Sequence, residues 1–318
     1  MNVLVTGGTG FLGSYLVRHL VNKIGDRPVL FENNPNPDAV VDVADRIDIV
    51  RGDITELSEL LEVIQRYKID RIAHLAYFLS TWLDAYPPRG IKVNCLGTAN
   101  IFEAARLSGI RRVVYTSSVT QYGVRYSLTT PVVDEDVIPQ PTTLYGACKQ
   151  FDERTAEVYS RQHGLELIAM RPTSIFGMGR GQRLTSSQSN RHFMVQPEFA
   201  ALGQPCVMPP DDFVSDWMYA EDAAYALHLA LTVPMPAHNV FNMSSYAVRQ
   251  AEVTAIVRKL VPDTDIRISS EPVGALHLVS RTRFFEELGF RPRFSLEEGL
   301  LAYMNDARKR AGLSPLPH

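Results

Sequence analysis

The sequence predicts an α/β chain built on a doubly wound parallel sheet, with a smaller lobe supplied by its C-terminal half. Two observations carry this expectation. Short runs of β-branched residues alternate with segments of helical apolar spacing through most of the first 172 residues, a rhythm that places helices on both faces of a parallel sheet. The first of these runs passes directly into a glycine-rich turn and then a helix. In such sheets ligands bind beyond the carboxyl ends of the strands, so each motif below is expected on that edge.

The opening stretch NVLVTGGTGFLGSYLVRHLV sets the pattern. Val3, Leu4 and Val5 read as a buried strand, and Leu12, Leu16, Val17, Leu20 and Val21 recur at helical spacing. Between them Gly7, Gly10 and Gly13 form Gly-x-x-Gly-x-x-Gly. Absent Cβ atoms there permit a tight turn, close approach of a phosphate to backbone N–H groups, and close packing of helix on strand. A pyrophosphate fits this turn, with Phe11 and Leu12 in the same nucleotide-binding set. A second strand, PVLFE, ends on Glu32, 19 residues beyond Gly13. Its carboxylate is placed to accept both hydroxyl protons of a ribose diol.

Further along, IDIVRGDIT reads as a strand ending near Arg51 to Asp53, ELSELLEVIQRYK as a helix, and IDRIAHLAY as a strand. Residues 87 to 108 read as one long helix, RRVVYTSSV as another strand, and 142 to 163 as a second long helix. Past residue 172 the rhythm loosens, and GMGRGQRLTSSQSNRHF reads as a loop or short-helix region. DWMYAEDAAYALHLAL reads as a loop and helix, HNVFNMS as a strand, and residues 249 to 261 as an amphipathic helix. The expected division is a dinucleotide-binding Rossmann domain over residues 1–172, rejoined by about 214–243. A substrate lobe then comes from 173–213 and 244–318.

Composition narrows the function. With 318 residues, 45% hydrophobic and 21% charged, the chain has material for a large core in one or two domains. A net charge of −3 gives no general field for nucleic acid or an anionic membrane, so neither partner is expected. Cys95, Cys148 and Cys206 are widely spaced and form no Cys-x-x-Cys pair, which points to no disulfide framework, no metal site and a reduced cytoplasmic setting. Neither a run of about 18 apolar residues nor a signal peptide is read.

Tyr145 and Lys149 stand four apart in a helical segment, on one face. An ammonium beside a phenol stabilises the phenolate, so Tyr145 is expected to act as a base near neutral pH, removing a substrate hydroxyl proton as hydride leaves the same carbon, or donating one in reverse. Ser118, in VVYTSSVTQYG just after a strand, is placed to hydrogen-bond the reacting oxygen. Ser117 and Thr120 are open to that role or to satisfying turn backbone. His74 reads as a packed core histidine, Cys148 as facing the sheet, and Phe78 and Trp82 as lining an apolar pocket.

With these residues in place the chain resembles an extended short-chain dehydrogenase/reductase, the NAD-dependent epimerase/dehydratase family. The matches run in order: TGGTGFLG, GDIT, HLAY, VNCLGT, YTSSVTQYG, YGACK, RPTSIFG, WMYAEDAA and RFFEELGFRP. The resemblance implies that Asp53 and Ile54 flank the adenine, Leu75 and Ala76 the pyrophosphate side, and Pro172 the nicotinamide. It places Asn94 in the sheet-edge network, Tyr145, Lys149 and Ser118 as a catalytic trio, and Lys149 also on the nicotinamide ribose. It also implies a homodimer in which helices 87–108 and 142–163 pair with their copies.

Glu32 favours NAD over NADP, since a carboxylate beside the ribose 2′ position repels a 2′-phosphate; Arg51 is the nearest residue in sequence that opposes this. Departures from the family pattern narrow the chemistry. Val119 and Thr120 stand where sugar-nucleotide dehydratases carry an Asp-Glu pair, and they supply neither acid nor base for water elimination. Ser174 replaces an epimerase Asn, and Ser215 and the region of Ser270 lack the two arginines that hold a diphosphate. Arg180, Arg183, Arg191 and His192 offer another anion site or a solvated surface. The leading expectation is an NAD-dependent oxidoreductase acting on a secondary alcohol or ketone of a small molecule. An NAD-retaining epimerase and a dinucleotide-binding regulator without turnover are the alternatives.

Overall fold

The computed structural model describes residues 1–123, 132–180, 193–270 and 278–317. In chain order the strands among them are β1 (Val3–Thr6), β2 (Val29–Glu32), β3 (Asp48–Arg51), β4 (Arg71–His74), β5 (Arg112–Thr116), β6 (Val132–Val133) and β7 (Glu166–Pro172). There follow β8 (Ser174–Phe176), β9 (Cys206–Met208), β10 (Val214–Tyr219), β11 (Val240–Met243), β12 (Tyr246–Arg249), β13 (Ile266–Ile268) and β14 (Leu278–Val279).

Seven strands make one parallel sheet in the order β11–β7–β5–β4–β1–β2–β3. Its strands are apolar on both sides, as burial between two helical layers requires. Val3 and Val5 pack with Leu16, Leu20 and Leu227 on one face, while Leu4 packs with Leu60, Ile101 and Phe102 on the other. That alternation is the two-residue period of a strand divided between two cores. The winding reverses between β1 and β4, which opens a crevice at their carboxyl ends. The glycine turn leaves β1 there, and Leu75 and Ala76 leave β4 beside it.

Three differences from the sequence reading have physical causes. Residues 214–219 form a strand rather than a loop: Trp217, Met218 and Tyr219 are all buried, and β10 pairs parallel with β8 and antiparallel with β12. A short run buried on both sides shows no alternation, so tertiary pairing decides its form. β8 lies just before residues 177–193, the stretch read as a loop or short helix, and its partner strand is what extends it. The helix expected over 87–108 is continuous in path but mixed in pitch, with Pro87–Ile91 and Gly97–Leu107 joined through a π-helical turn, Lys92–Leu96. Arg183, Arg191 and His192 lie outside the described residues.

The three-stranded sheet β12–β10–β8 builds a separate core, in which Phe176, Trp217 and Tyr219 meet Leu300, Tyr303 and Met304 of the last helix, Leu296–Arg310. Helix Ala220–Thr232 and β11 return to the large sheet, and Ala223 and Leu227 join the core under Leu16.

Gly13 is where helix and turn come closest, since a Cβ added there would lie 2.0 Å from the Gly7 carbonyl oxygen. Gly13→Ala is therefore expected to destabilise the fold by about 2 kcal/mol or more, read as a fall in the urea midpoint with an unchanged slope. An alanine variant as stable as the parent would refute the close packing.

Candidate active site

At the sheet edge the glycine turn is held by backbone alone. The Gly10 N–H donates to the Gly7 carbonyl at 2.9 Å, and Gly7 has φ +73°, a conformation that favours glycine. A Cβ on Gly7 would meet the Ala76 nitrogen at 2.7 Å, so the turn and the end of β4 share one narrow crevice. Glu32 closes it from β2: its Oε1 accepts the Thr9 N–H at 2.7 Å, which fixes the carboxylate beside the turn. Arg51 stands opposite Glu32 in the β2–β3 register. Asp53 accepts from Asn33 Nδ2 at 3.0 Å and from the Thr55 N–H at 2.9 Å, while Ile54 is buried under Gly97. A cleft lined by Asn33, Arg51, Asp53 and Arg66 opens at this outer end, away from Tyr145.

Beneath the crevice runs a chain of hydrogen bonds with a single consistent direction. The N–H groups of Leu75 and Ala76 donate to Thr6 Oγ1, each at 3.3 Å, and Thr6 Oγ1 lies 2.7 Å from His74 Nδ1. His74 Nε2 lies 3.0 Å from Thr98 Oγ1, which donates to the Asn94 carbonyl at 2.6 Å. Thr98 spends its proton on that carbonyl, so Nε2 must carry the imidazole proton and Nδ1 must accept from Thr6. Asn94 in turn clamps the loop after β4, accepting from the Phe78 N–H at 2.8 Å and donating to its carbonyl at 3.1 Å. The π-helical turn carries Asn94 into this position.

Helix Leu144–His163 presents Tyr145 and Lys149, and Thr143 caps its start by accepting the Gly146 N–H at 3.1 Å. Ser118 ends the β5 extension, where its Oγ accepts the Thr120 N–H at 3.1 Å and acts to lower the Tyr145 phenol. Thr120 Oγ1 lies 2.8 Å from Ser118 Oγ, so Thr120 orients this serine. Pro172 ends β7 opposite Met243. The structure thus brings Ser118, Tyr145 and Lys149 to one end of the sheet, with the glycine turn on the same carboxyl edge.

The electrostatics differ from the sequence expectation. Lys149 is buried, donates to the Thr116 carbonyl, and lies 3.1 Å from the Tyr77 ring centroid. Its ammonium is thus spent on a carbonyl and a π-face, and burial pushes it down to about 8. Burial pushes the Tyr145 phenol up to about 12, and the cation that opposes this shift is Arg180, not Lys149. Asp152 accepts from the Tyr77 hydroxyl at 2.9 Å, and burial pushes its carboxyl up to about 8.

Sequence reasoning missed Tyr77 and Asp152, although Asp152 stands three residues after Lys149 on the same helix. It also missed a buried network behind Ser118. Arg171 bonds Glu153 at 2.6 Å, and the same carboxylate takes Ser117 at 2.5 Å and Gln121 at 2.6 Å. This spends Ser117 on structure, the reading of that residue as a partner for turn and frame. Cys148 is buried, and Cys95 of the π turn acts on its thiol, lowering it. Ser215 is buried and accepts from Trp217 Nε1 at 2.9 Å.

Residues 3–244 match the model of the NAD dependent epimerase/dehydratase family. The chain belongs to that family. Among its relatives are a UDP-glucose 4-epimerase of Streptomyces lividans, 27% identical over 91% of each chain. A D-erythronate dehydrogenase of Cupriavidus necator is 27% identical over 96% of this chain and 99% of its own length. A UDP-glucose 4-epimerase of Thermotoga maritima, solved with UDP-glucose, superposes with a TM-score of 0.84 at 22% identity, over 98% of this chain and all of its own, a likeness of fold. As an epimerase/dehydratase family member the chain is an enzyme of the extended short-chain type whose cofactor is NAD, and the cradle that a Cβ on Gly7 or Gly13 would fill suits that group. No helix among the described residues is long and apolar enough to cross a membrane.

Burial pushes His74 down to about 3 from the ordinary histidine value of 6.5. Its folded value lies below the unfolded one, so the stability tied to the neutral ring is fully present above pH 6.5 and is lost as pH falls toward 3. The His74 ring proton signals are expected to stay constant by NMR between pH 8 and 5, while unfolding free energy declines with acid across the lower part of that range. A ring that titrates near pH 6.5 would contradict the hydrogen-bond chain.

Proposed function

We propose that the enzyme moves hydride between the nicotinamide and a secondary alcohol or ketone of a small molecule that carries no nucleotide. The observation that carries the reading is that Ser118, Tyr145 and Lys149 meet at the carboxyl edge of the parallel sheet that also bears the glycine turn. Bound NAD supplies the hydride acceptor. Tyr145 moves the proton at the carbinol oxygen, and Ser118 holds that oxygen in line. Lys149 holds the nicotinamide ribose, and Pro172 borders the nicotinamide. Gly7, Gly10, Phe11, Leu12 and Gly13 hold the pyrophosphate with Leu75 and Ala76, Glu32 holds the ribose diol and disfavours NADP, and Asp53 and Ile54 flank the adenine. Asn94 keeps the loop after β4 in register. Ser215, spent on Trp217, supports a substrate without a diphosphate.

The division of labour we infer follows the two cores. Residues 1–172, rejoined by helix Ala220–Thr232 and β11, hold the dinucleotide, and residues 173–213 with 244–318 form the substrate lobe. Strand β10 sides with that lobe through its pairing with β8 and β12. We place the enzyme in the cytoplasm, where adjacent thiols such as Cys95 and Cys148 stay reduced. A homodimer is supported by apolar residues left at the surface of the two long helical segments, Leu96 at 44% and Phe151 at 48% exposure, with Ile91 and Val158 beside them.

Tyr145→Phe removes one oxygen and little volume. Turnover is expected to fall by a factor on the order of 10² or more, with NAD affinity and melting temperature preserved. The readout is NADH formed from a screen of secondary alcohols, and near-normal turnover in the variant would sink the assignment. Phe151→Glu places a charge in the inferred interface. Sedimentation should show a dimer for the parent and a monomer for the variant at micromolar concentration. A monomeric parent would refute the assembly.

A further inference from the structure

Arg180 is a cation at the active site with no anionic partner among the described residues. Its guanidinium lies over the Phe11 ring, 5.6 Å from the centroid, at the first turn of helix Phe11–His19. The segment that carries it is pinned to that helix: the Met178 N–H donates to the Tyr15 hydroxyl at 2.8 Å, and the Phe11 and Tyr15 rings meet edge to face at 5.9 Å. The phenols of Tyr145 and Tyr303 lie within electrostatic range of the guanidinium. The acid nearest in this arrangement is committed elsewhere, since Glu198 accepts the Tyr303 hydroxyl at 2.8 Å. Burial lowers the proton affinity of Arg180, and no carboxylate restores it. A half-buried arginine with no carboxylate partner among the described residues is a cation that a bound anion stabilises.

We propose that Arg180 binds a carboxylate of the substrate, so that the enzyme acts on small hydroxy acids whose carbinol reaches Tyr145 while the carboxylate reaches Arg180. The proposal rests on the oxidoreductase reading above and names its substrate class. A planar guanidinium fork matches a carboxylate in two parallel hydrogen bonds, which fixes the carbon skeleton in orientation as well as in place. With NAD+ bound, the carbinol carbon would give up hydride while its hydroxyl proton passes to the ionised oxygen of Tyr145, leaving a carbonyl and an unchanged carboxylate. The other source of an anion at this helix start is the cofactor pyrophosphate. The substrate is favoured because the guanidinium lies within electrostatic range of Tyr145, which handles the substrate proton, and of Tyr303 in the core of the small sheet. The glycine turn meanwhile offers the pyrophosphate its own N–H donors. The positions where a diphosphate-binding relative would carry arginines are Ser215, already bonded to Trp217, and exposed Ser270, so Arg180 is left to recognise charge.

The test compares molecules that differ only in the carboxylate. D-erythronate and D-glycerate are set against erythritol and glycerol, in which a CH2OH replaces it. Binding to the enzyme–NAD complex is measured by calorimetry, and NADH formation is measured in parallel. The parent should bind an acid on the order of 10²-fold more tightly than its polyol. Arg180→Gln should collapse that binding ratio to within about threefold, with NAD affinity kept within about twofold, and Arg180→Lys should restore part of it. If the parent binds acid and polyol alike, or neither, the proposal is overturned whether or not any of them is oxidised. If Arg180→Gln leaves the ratio intact but weakens NAD tenfold, Arg180 serves the cofactor and the proposal is again overturned. If the acids bind preferentially through Arg180 yet no NADH appears from any of them, the carboxylate site stands and the hydride-transfer reading falls.

Discussion

The active-site edge depends on keeping one imidazole neutral. His74 sits between Thr6 at the end of β1 and Thr98 on the helix behind β4, and it accepts from the first while donating to the second. Protonation would make both ring nitrogens donors, leaving Thr6 Oγ1 to face an N–H with its acceptor capacity already given to Leu75 and Ala76. The backbone of those two residues lines the crevice against which Gly7 packs. Burial enforces the neutral state, because a charged imidazole here has no carboxylate to offset its lost hydration. A group without chemistry of its own thus fixes the width of the crevice.

A second buried constraint stands behind Ser118. The Arg171–Glu153 pair joins β7 to helix Leu144–His163, and Gln121 and Ser117 tie the turn after β5 to the same carboxylate. Arg171 continues to the Tyr122 hydroxyl, which donates to Asn242 on β11 at 2.8 Å. Four elements therefore meet on one ion pair, and every donor has an acceptor. Removing either partner of such a pair leaves a buried charge uncompensated, a loss of about 3–5 kcal/mol in comparable cases. The geometry of Ser118 against Tyr145 is consequently held from below by charge, while the upper face remains open to substrate.

Much of this was legible in the sequence. The first five strands announce themselves as short apolar runs between glycines and helical periods, and the glycine spacing places the crevice. Glu32, Asn94, Ser118, Tyr145 and Lys149 were identified by type and offset, and each lies on or under the carboxyl edge. What stayed hidden depends on partners far apart in sequence. β10 is extended because β8 and β12 flank it, and no periodicity within WMY signals that. The four-residue spacing of Tyr145 and Lys149 suggested that the lysine tunes the phenol. The ammonium lies 5.8 Å from the Tyr145 ring centroid, but Tyr77, 72 positions before Lys149, holds it closer, at 3.1 Å. Spacing within one helix fixes a shared side of that helix, and the neighbours across the groove decide which group the charge serves.

The same principle governs how the two halves of the site come together. Tyr145 and Ser118 are fixed by the large sheet, whereas Arg180 follows β8 and so belongs in sequence to the segment that feeds the second core. Gly177 resolves the junction. Its φ is +151°, and a Cβ there would press on the Tyr15 hydroxyl at 2.9 Å, so only glycine lets the chain fold back onto the first helix. The Met178 N–H then bonds that hydroxyl, and two residues later the guanidinium reaches the Phe11 ring. The helix that opens on the nucleotide crevice thereby also positions the one cation acting to lower the Tyr145 phenol. Phe11 and Tyr15 thus tie the segment that carries Arg180 to the helix that follows the glycine turn.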